Sequence, residues 1–304
     1  MIDYILKYPE MFRYILGITK KQFDDLLPKF EQRLVLNSLK TYATRSKMLR
    51  ERGGGRKSKL INPTQKLIMI LFYYKHYPTL KLCESIFKLD HTNVSRWLKF
   101  LELALSESVE GELELKITKV RMKTIDCLIE VCPELKNCIT DCTERPVRRP
   151  KNNVKQEQYY SGKKKDHTVK NQIYLNPTSK RITAISKQFE GKKHDSAIFK
   201  EDKMYLKAPP NSQFMGDTAY IGLTDESPYI QFITPVKKPV GKELTDTQKG
   251  INKTISSVRV QVEHPFAYMK HFNILRHDYR GKNIEHAHVP FKTIACIYNM
   301  TRTT

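Results

Sequence analysis

Three things are scarce in this sequence: long apolar runs, paired cysteines and acidic residues. No apolar stretch approaches the roughly 20 residues needed to cross a bilayer, and no basic amphipathic anchor for a membrane surface stands out. The opening residues, MIDYILKYPEMF, carry an Asp and no extended apolar core, so a secretory leader is not expected. Six cysteines, at 83, 127, 132, 138, 142 and 296, form neither a CxxC pair nor a regular framework. That pattern points to reduced thiols and gives little support to a zinc site. Nine histidines show no paired ligand spacing beyond His286 and His288, which leaves a zinc-dependent hydrolase the weakest of the enzyme readings. Acids are outnumbered, 32 Asp and Glu against 54 Lys and Arg, for a formal charge of +22. Such an excess concentrates polyanions and suggests nucleic acid before any small substrate.

What is present is enough chain to bury a full core. With 304 residues there is room for one large domain and a smaller one. Residues 1–45 read as helical: Thr19 can cap a helix through Phe23, Leu26, Leu27 and Phe30, with Pro28 expected to kink or split it. The stretch RSKMLRERGGGRKSKL, residues 45–60, holds seven Lys or Arg and one acid around Gly53–Gly55. It reads as a basic flexible linker, either a solvated connection or an arm that follows phosphates.

A compact helical module follows. Asn62 and Pro63 start a helix through Leu67, Ile70, Leu71 and Tyr74, and Pro78 ends it. Thr79 caps a shorter helix that stops near Asp90, and His91-Thr92-Asn93 turns into VSRWLKFLELAL. This is helix-turn-helix rhythm, with a recognition helix offering Asn93, Ser95, Arg96 and Lys99 to a DNA groove and Trp97 pointing inward with Leu98 and Leu101. A plain helical packing domain has the same rhythm. We divide the chain into residues 1–103 as helical module, with the helix-turn-helix over about 63–103, then 104–133 as connector and 134–304 as a second domain.

From Leu135 the period changes to that of strands. NCITDCTERPVRRP reads as a strand ending in Asp141, followed by a basic turn. Between Arg145 and Lys170 nine cations face two acids, with Tyr159 and Tyr160 among them, which suits a held and stacked nucleic-acid strand or a solvated hairpin edge. Lys170–Leu175, a turn at Asn176–Ser179 and Arg181–Ser186 form a β-hairpin. Asp195 is most simply the cap of a short helix containing Ile198 and Phe199, with a catalytic role the minority reading. SQFMGDTAYIG delivers Asp217 at the end of a short apolar run, and YIQFITPVKKPVG repeats the strand signal. Ala287–Met300 reads as a last amphipathic segment.

Residues Ser256–Lys270, SSVRVQVEHPFAYMK, organise the rest. If helical, Arg259, Glu263 and Lys270 line one narrow face beside an apolar face of Val258, Val262, Phe266 and Met269. Pro265 should then impose a kink or local break. Taken alone, Glu263 reads as a surface acid in ordinary ion-pair spacing. Asp141 and Asp217 change its company, because three carboxylates on separate elements are what metal-dependent phosphoryl transfer requires.

The order strand, hairpin, helix, strand, strand, helix resembles the ribonuclease-H-like core of the DDE transposases. More closely, the chain resembles an insertion-sequence transposase of the IS5 type, in the DDE superfamily endonuclease group that includes the Harbinger-like proteins. The resemblance rests on GGGRKSKL, ITDCTERPVRRP, YYSGKKKDHTVK, KKHDSAIF, FMGDTAYIGL and VRVQVEHPFAYMK, and spans nearly the whole chain. It implies Asp141, Asp217 and Glu263 as catalytic triad and metal ligands, holding Mg²⁺ or Mn²⁺, with two ions about 4 Å apart bridged by a shared Asp. Arg259 and Lys270 would hold phosphates, and Arg148, Lys163, Lys164 and Lys165 join Asn93, Arg96 and Lys99 as expected DNA contacts. Cys142 and Ala219 stand where the family often has Gly, and Ser256 where it usually has Tyr.

The expected fold is α/β, a ribonuclease-H-like catalytic core with a mixed five-stranded sheet, preceded by an all-α helix-turn-helix-like module. The expected function is a DNA transposase that binds terminal inverted repeats and target DNA as at least a homodimer, cleaves and joins strands, and has no membrane partner. It would work in the cytoplasm with the nucleoid of a prokaryote, or in the nucleus of a eukaryote. Two alternatives stay open: a DNA-binding descendant that no longer cleaves, and a ribonuclease-H-like nuclease without strand joining.

Overall fold

The computed structural model describes residues 1–44, 59–60, 62–113, 136–209, 211–223 and 230–302. The Gly-rich linker, most of the expected connector, and Cys127 and Cys132 lie outside the described residues. Contacts divide the chain into two units that are not linear in sequence. Met1–Glu112 groups with His271–Arg276 and Val289–Thr301, and the remainder forms the second unit.

In the first unit, local chemistry sets the helix boundaries. Thr19 Oγ1 accepts from Gln22 N at 3.2 Å while Gln22 Oε1 accepts from Thr19 N at 2.9 Å, a capping box that starts α2, Lys20–Ala43, after α1, Ile2–Lys7. Pro28 neither splits nor ends α2, which runs through it as one helix. The buried row of Phe23, Leu26, Phe30 and Leu34 accounts for that, because packing outweighs the roughly 3 kcal/mol a Pro costs. Gly17, at φ 81°, closes the π-helical turn before it, and a Cβ there would stand 2.6 Å from the Phe272 ring.

Asn62 caps α3, Pro63–His76, with Pro63 at its first position, where the missing N–H costs nothing. Thr79 caps α4, Leu80–Phe87. Lys88 at φ 52° ends α4, and Asp90 Oδ1 accepts Thr92 N at 2.9 Å to start α5, His91–Val109. This is the helix-turn-helix. Val94, Leu98 and Leu101 face inward, while Asn93, Arg96 and Lys99 are exposed. Trp97 departs from expectation: it is half-buried, its ring 5.3 Å from Lys66 Nζ, in a groove of about 640 Å³ lined also by Leu34, Asn93, Arg96 and Phe100. The last segment is not amphipathic but almost wholly buried from Pro290 to Met300.

The second unit is built on a mixed sheet of seven strands among the described residues, two of them only two residues long, where five were expected. The central strand β1, Asn137–Pro146, pairs antiparallel with β3, Asp166–Leu175, after the two-residue β2, Tyr160–Ser161, which also pairs with β3. Helix α6, Asn153–Tyr159, leads into β2. The expected hairpin carries β3 into β4, Ile182–Ile185, and β5, Phe189–Glu190, pairs with β3 further along. On the other side, β1 is parallel to β6, Ser212–Met215, and β6 to β7, Ile230–Ile233. Three antiparallel strands followed by two parallel ones give the mixed sheet of a ribonuclease-H-like core. On one face, Cys138, Tyr174, Phe214 and Phe232 pack with Phe199 of α7, Asp195–Asp202. Phe199 stacks on Tyr205 at 5.2 Å and meets Phe232 edge-on at 5.2 Å, arrangements worth about 0.5–1.5 kcal/mol each beyond burial.

Candidate active site

Strand direction places two acids together. Because β1 and β6 are parallel with Ile139 opposite Met215, Asp141 and Asp217 each lie two residues beyond that pair, toward the same end of the sheet. Asp141 does not end its strand, as the sequence suggested; β1 continues to Pro146, held by the antiparallel ladder to β3. Asp217 follows β6 and caps the 3-10 turn Thr218–Tyr220, its Oδ1 accepting Ala219 N at 2.8 Å. Gly216 lets this turn close: a Cβ there would stand 2.6 Å from the Tyr220 ring.

Asp141 is the electrostatic centre. Its Oδ1 accepts Cys142 N at 2.8 Å, and its Oδ2 lies 3.9 Å from Arg259 Nη1. Burial pushes its pKa up to about 6, with the charges of Asp217 and Asp195 adding to the rise and Arg259 opposing it. The Cys142 thiol beside it is pushed well above its ordinary value by burial, and its Sγ lies 3.5 Å from the Tyr220 hydroxyl. Burial also lowers the Lys270 ammonium, and the positive charges of Lys164 and Lys163 lower it further, while Asp141 and Glu144 oppose them. Lys163, Lys164, Lys270 and Arg259 therefore share one electrostatic neighbourhood with Asp141. Lys165 and Arg148 are exposed on the same unit.

The organising helix is broken, as Pro265 implied. It begins earlier than expected, with α8 over Asp246–Arg259, then a 3-10 turn at Val260–Val262 and α9, Glu263–Lys270. Pro265 sits in the first turn of α9, where no helical partner for its N–H is required. Val262, at 0% exposure, anchors this tighter turn in the core. Arg259, Glu263 and Lys270 thus do not share one continuous helical face. Arg259 reaches Asp141, whereas Glu263 is exposed at the start of α9. Among the described residues, one group of three ligand-type side chains comes within 4.8 Å, and it is Glu84, Asp90 and His91 of the helix-turn-helix. Asp141, Asp217 and Glu263 are not drawn together that closely.

Three charged residues went unnoticed in the sequence or were given another part. Lys170 Nζ lies 3.0 Å from Asp195 Oδ1 and 3.7 Å from Glu144 Oε1. Asp195 is not the cap of α7; His194 holds that position, and Asp195 is the first helical residue, turned to Lys170. A single Lys inside the buried run VKNQIYL was the available signal, since a lone cation on a central strand demands a partner.

Comparison with known proteins identifies the family. The DDE superfamily endonuclease family matches residues 140–299, and the helix-turn-helix of DDE superfamily endonucleases matches residues 58–110. The chain belongs to the DDE superfamily endonucleases. It is 30% identical over 245 residues to a probable transposase for insertion sequence element IS702 from Microchaete diplosiphon, covering 81% of this chain and 82% of that protein. No solved structure matches the chain. Membership brings a DNA-binding helix-turn-helix, an endonuclease domain and an expected use of divalent metal. Asp141 and Asp217 fit such an ion: both offer hard oxygen donors, and the Asp141 pKa is raised by burial first and by the charge of Asp217 second, both of which a bound cation would offset. No helix among the described residues is long and apolar enough to cross a membrane.

Proposed function

We propose that this protein is a DNA transposase that binds the ends of its insertion element and performs metal-dependent phosphodiester cleavage and strand transfer. The observation that carries the reading is the placement of Asp141 and Asp217 at the shared end of two parallel strands, with Arg259 3.9 Å from Asp141. In this reading Asp141, Asp217 and Glu263 hold Mg²⁺ or Mn²⁺, two ions in all. The metal supplies Lewis acidity at the phosphodiester and a lowered pKa for the attacking water or 3′-hydroxyl. Arg259 orients the ionised Asp141 and offers its remaining donors to a phosphate, and Lys270 with Lys163 and Lys164 holds the flanking backbone. Asn93, Arg96 and Lys99 read the element end in a major groove, and paired ends require at least two copies of the chain.

A second reading has its own observation. Glu263 is exposed, and Asp141, Asp217 and Glu263 do not all come within 4.8 Å of one another, as expected of a DNA-binding descendant that no longer cleaves. Cleavage of a duplex carrying the element end, in Mg²⁺ or EDTA, with wild type and Asp217→Asn, separates the two. Metal-dependent nicking lost in the variant, with binding retained, supports the transposase. Tight binding with no nicking by either protein sinks it in favour of the descendant.

A further inference from the structure

The ion cluster beside the candidate site has no place in the chemistry above, yet it is built with care. Lys170 on β3 stands directly opposite Glu144 on β1 in the antiparallel register. Its Nζ donates to Asp195 Oδ1 at 3.0 Å and to the Lys193 carbonyl at 2.8 Å, with Glu144 Oε1 at 3.7 Å. Glu144 is held in turn by Thr168 Oγ1, which donates to its Oε2 at 2.9 Å. The Lys170, Glu144 and Asp195 side chains are 12%, 9% and 22% exposed, so the cluster is largely withdrawn from water. Burying such a group costs desolvation that well-packed apolar side chains would avoid, so stability alone is a poor reason for it.

Its position suggests a better one. Glu144 is three residues along β1 from Asp141. At the far end of the cluster, Asp195 and the Lys193 carbonyl are the entry to α7, and Lys170 ties both to the sheet. Helix α7 then carries Phe199 against Phe232 at 5.2 Å and Tyr220 at 6.3 Å. Tyr220 closes the turn whose cap is Asp217, through its own N–H to the Asp217 carbonyl at 3.1 Å. The same ring reaches back to β1 through its hydroxyl at Cys142 Sγ. One ammonium thus closes a mechanical loop: β1 to β3, β3 to α7, α7 to the turn bearing Asp217, and that turn back to the residue beside Asp141.

We infer that Lys170 is a positioning residue, which fastens the start of α7 to the β1–β3 ladder and thereby fixes the Asp217 turn relative to Asp141. The inference rests on the reading of Asp141 and Asp217 as the paired acids of the site, and deepens it. Lys170 touches no reacting group; it acts through α7. Removing it leaves two buried carboxylates without their shared cation, loosens the entry of α7 and frees the turn behind it.

The test begins without metal. Amide hydrogen exchange is compared in wild type, Lys170→Met and Asp195→Leu, the last removing the side-chain tie on the α7 side while Glu144 and the Lys193 carbonyl keep theirs. Exchange at Ala219 and Tyr220 should quicken by about tenfold in both variants while that of Gln213 and Phe214 holds. The half-saturating Mn²⁺ for cleavage of an element-end duplex should rise by about tenfold, within the range for groups that orient metal ligands, with DNA affinity unchanged. The double variant should add little to either single one, because the two residues act as a unit. Unchanged exchange at 219 and 220 in both variants overturns the inference, and so does uniform acceleration across β6, which marks plain destabilisation. Should Lys170→Met fail to fold, Asp195→Leu decides by the same two outcomes. Wild type that never cleaves, with the local exchange effect present, defeats the transposase reading and leaves the mechanical link standing.

Discussion

Arg259 Nη1 lies 3.9 Å from Asp141 Oδ2, joining the last turn of α8 to the central strand of the sheet. The contact links the helical signature to the first acid by charge, and it opposes the burial that raises the Asp141 pKa to about 6. Replacing Arg259 with Gln removes that opposition. The acid limb of the cleavage rate should then move to higher pH, measurable as a pH–rate profile at fixed metal. An unmoved limb with a merely weaker KM for DNA would confine Arg259 to holding phosphate.

Asp141 should make the metal-free protein less stable at neutral pH than at mildly acid pH. Its folded pKa of about 6 is raised above the ordinary 3.8, so the folded state holds the proton more tightly. The stabilising contribution is complete below about pH 4 and is lost as pH rises through about 6. The size of the shift corresponds to at most about 3 kcal/mol. Asp141→Asn should therefore melt higher than wild type at pH 7.5 in EDTA, with the gap closing toward pH 4. A variant that melts lower at both pH values would show that the carboxylate is not strained by its surroundings.

Divalent metal should reverse that strain. Ligand at about 100 times its Kd stabilises by about 2.7 kcal/mol, so Mn²⁺ should raise the wild-type Tm by several degrees. The rise should vanish in Asp217→Asn and shrink in Glu263→Gln if Glu263 joins the ion. A full rise in Glu263→Gln would remove Glu263 from the ligand set and favour the DNA-binding descendant.

DNA binding should weaken steeply with salt, and the basic loop should account for part of the slope. Each neutralised phosphate contributes about 0.9 to the slope of log K against log salt, so Lys163→Gln with Lys164→Gln should reduce it by about 2. Arg96→Ala should instead relax sequence preference with little change in slope. The reverse pattern would exchange the roles of the two surfaces.

Gly216→Ala should cost stability and activity together. The new Cβ would meet the Tyr220 ring at 2.6 Å and the Phe232 ring at 3.0 Å, and both rings pack behind the Asp217 turn. Overpacking of this kind costs about 1–3 kcal/mol, readable as a lower denaturant midpoint. A midpoint equal to wild type would mean that the turn opens freely to admit the methyl.

Much of the architecture was legible because it is written locally. The caps at Thr19, Asn62 and Thr79, the hairpin turn at Asn176 and the break before Pro265 each depend on a few neighbouring residues. The helix-turn-helix followed from the same local signals. Pro28 and Trp97 went otherwise for a tertiary reason: a buried helix face absorbs a proline, and the groove beside Trp97 is made by helices that no local pattern brings together. Glu144 and Lys170 were missed because each is one charge in a strand, and their meaning lies in the register between strands.

By itself, then, the sequence determined the order of elements, the basic character that selects a polyanionic partner, and the residue types at Asp141, Asp217 and Glu263. Tertiary structure alone decided which of these meet. Parallel pairing of β1 with β6 sets Asp141 beside Asp217, the 3-10 turn at Val260–Val262 aims Arg259 at Asp141 while leaving Glu263 in solvent, and strand register seats Lys170 between two acids. Spacing along a chain constrains only neighbours within a turn or a pleat, whereas contact between distant residues is settled by the pairing and packing that bury the core.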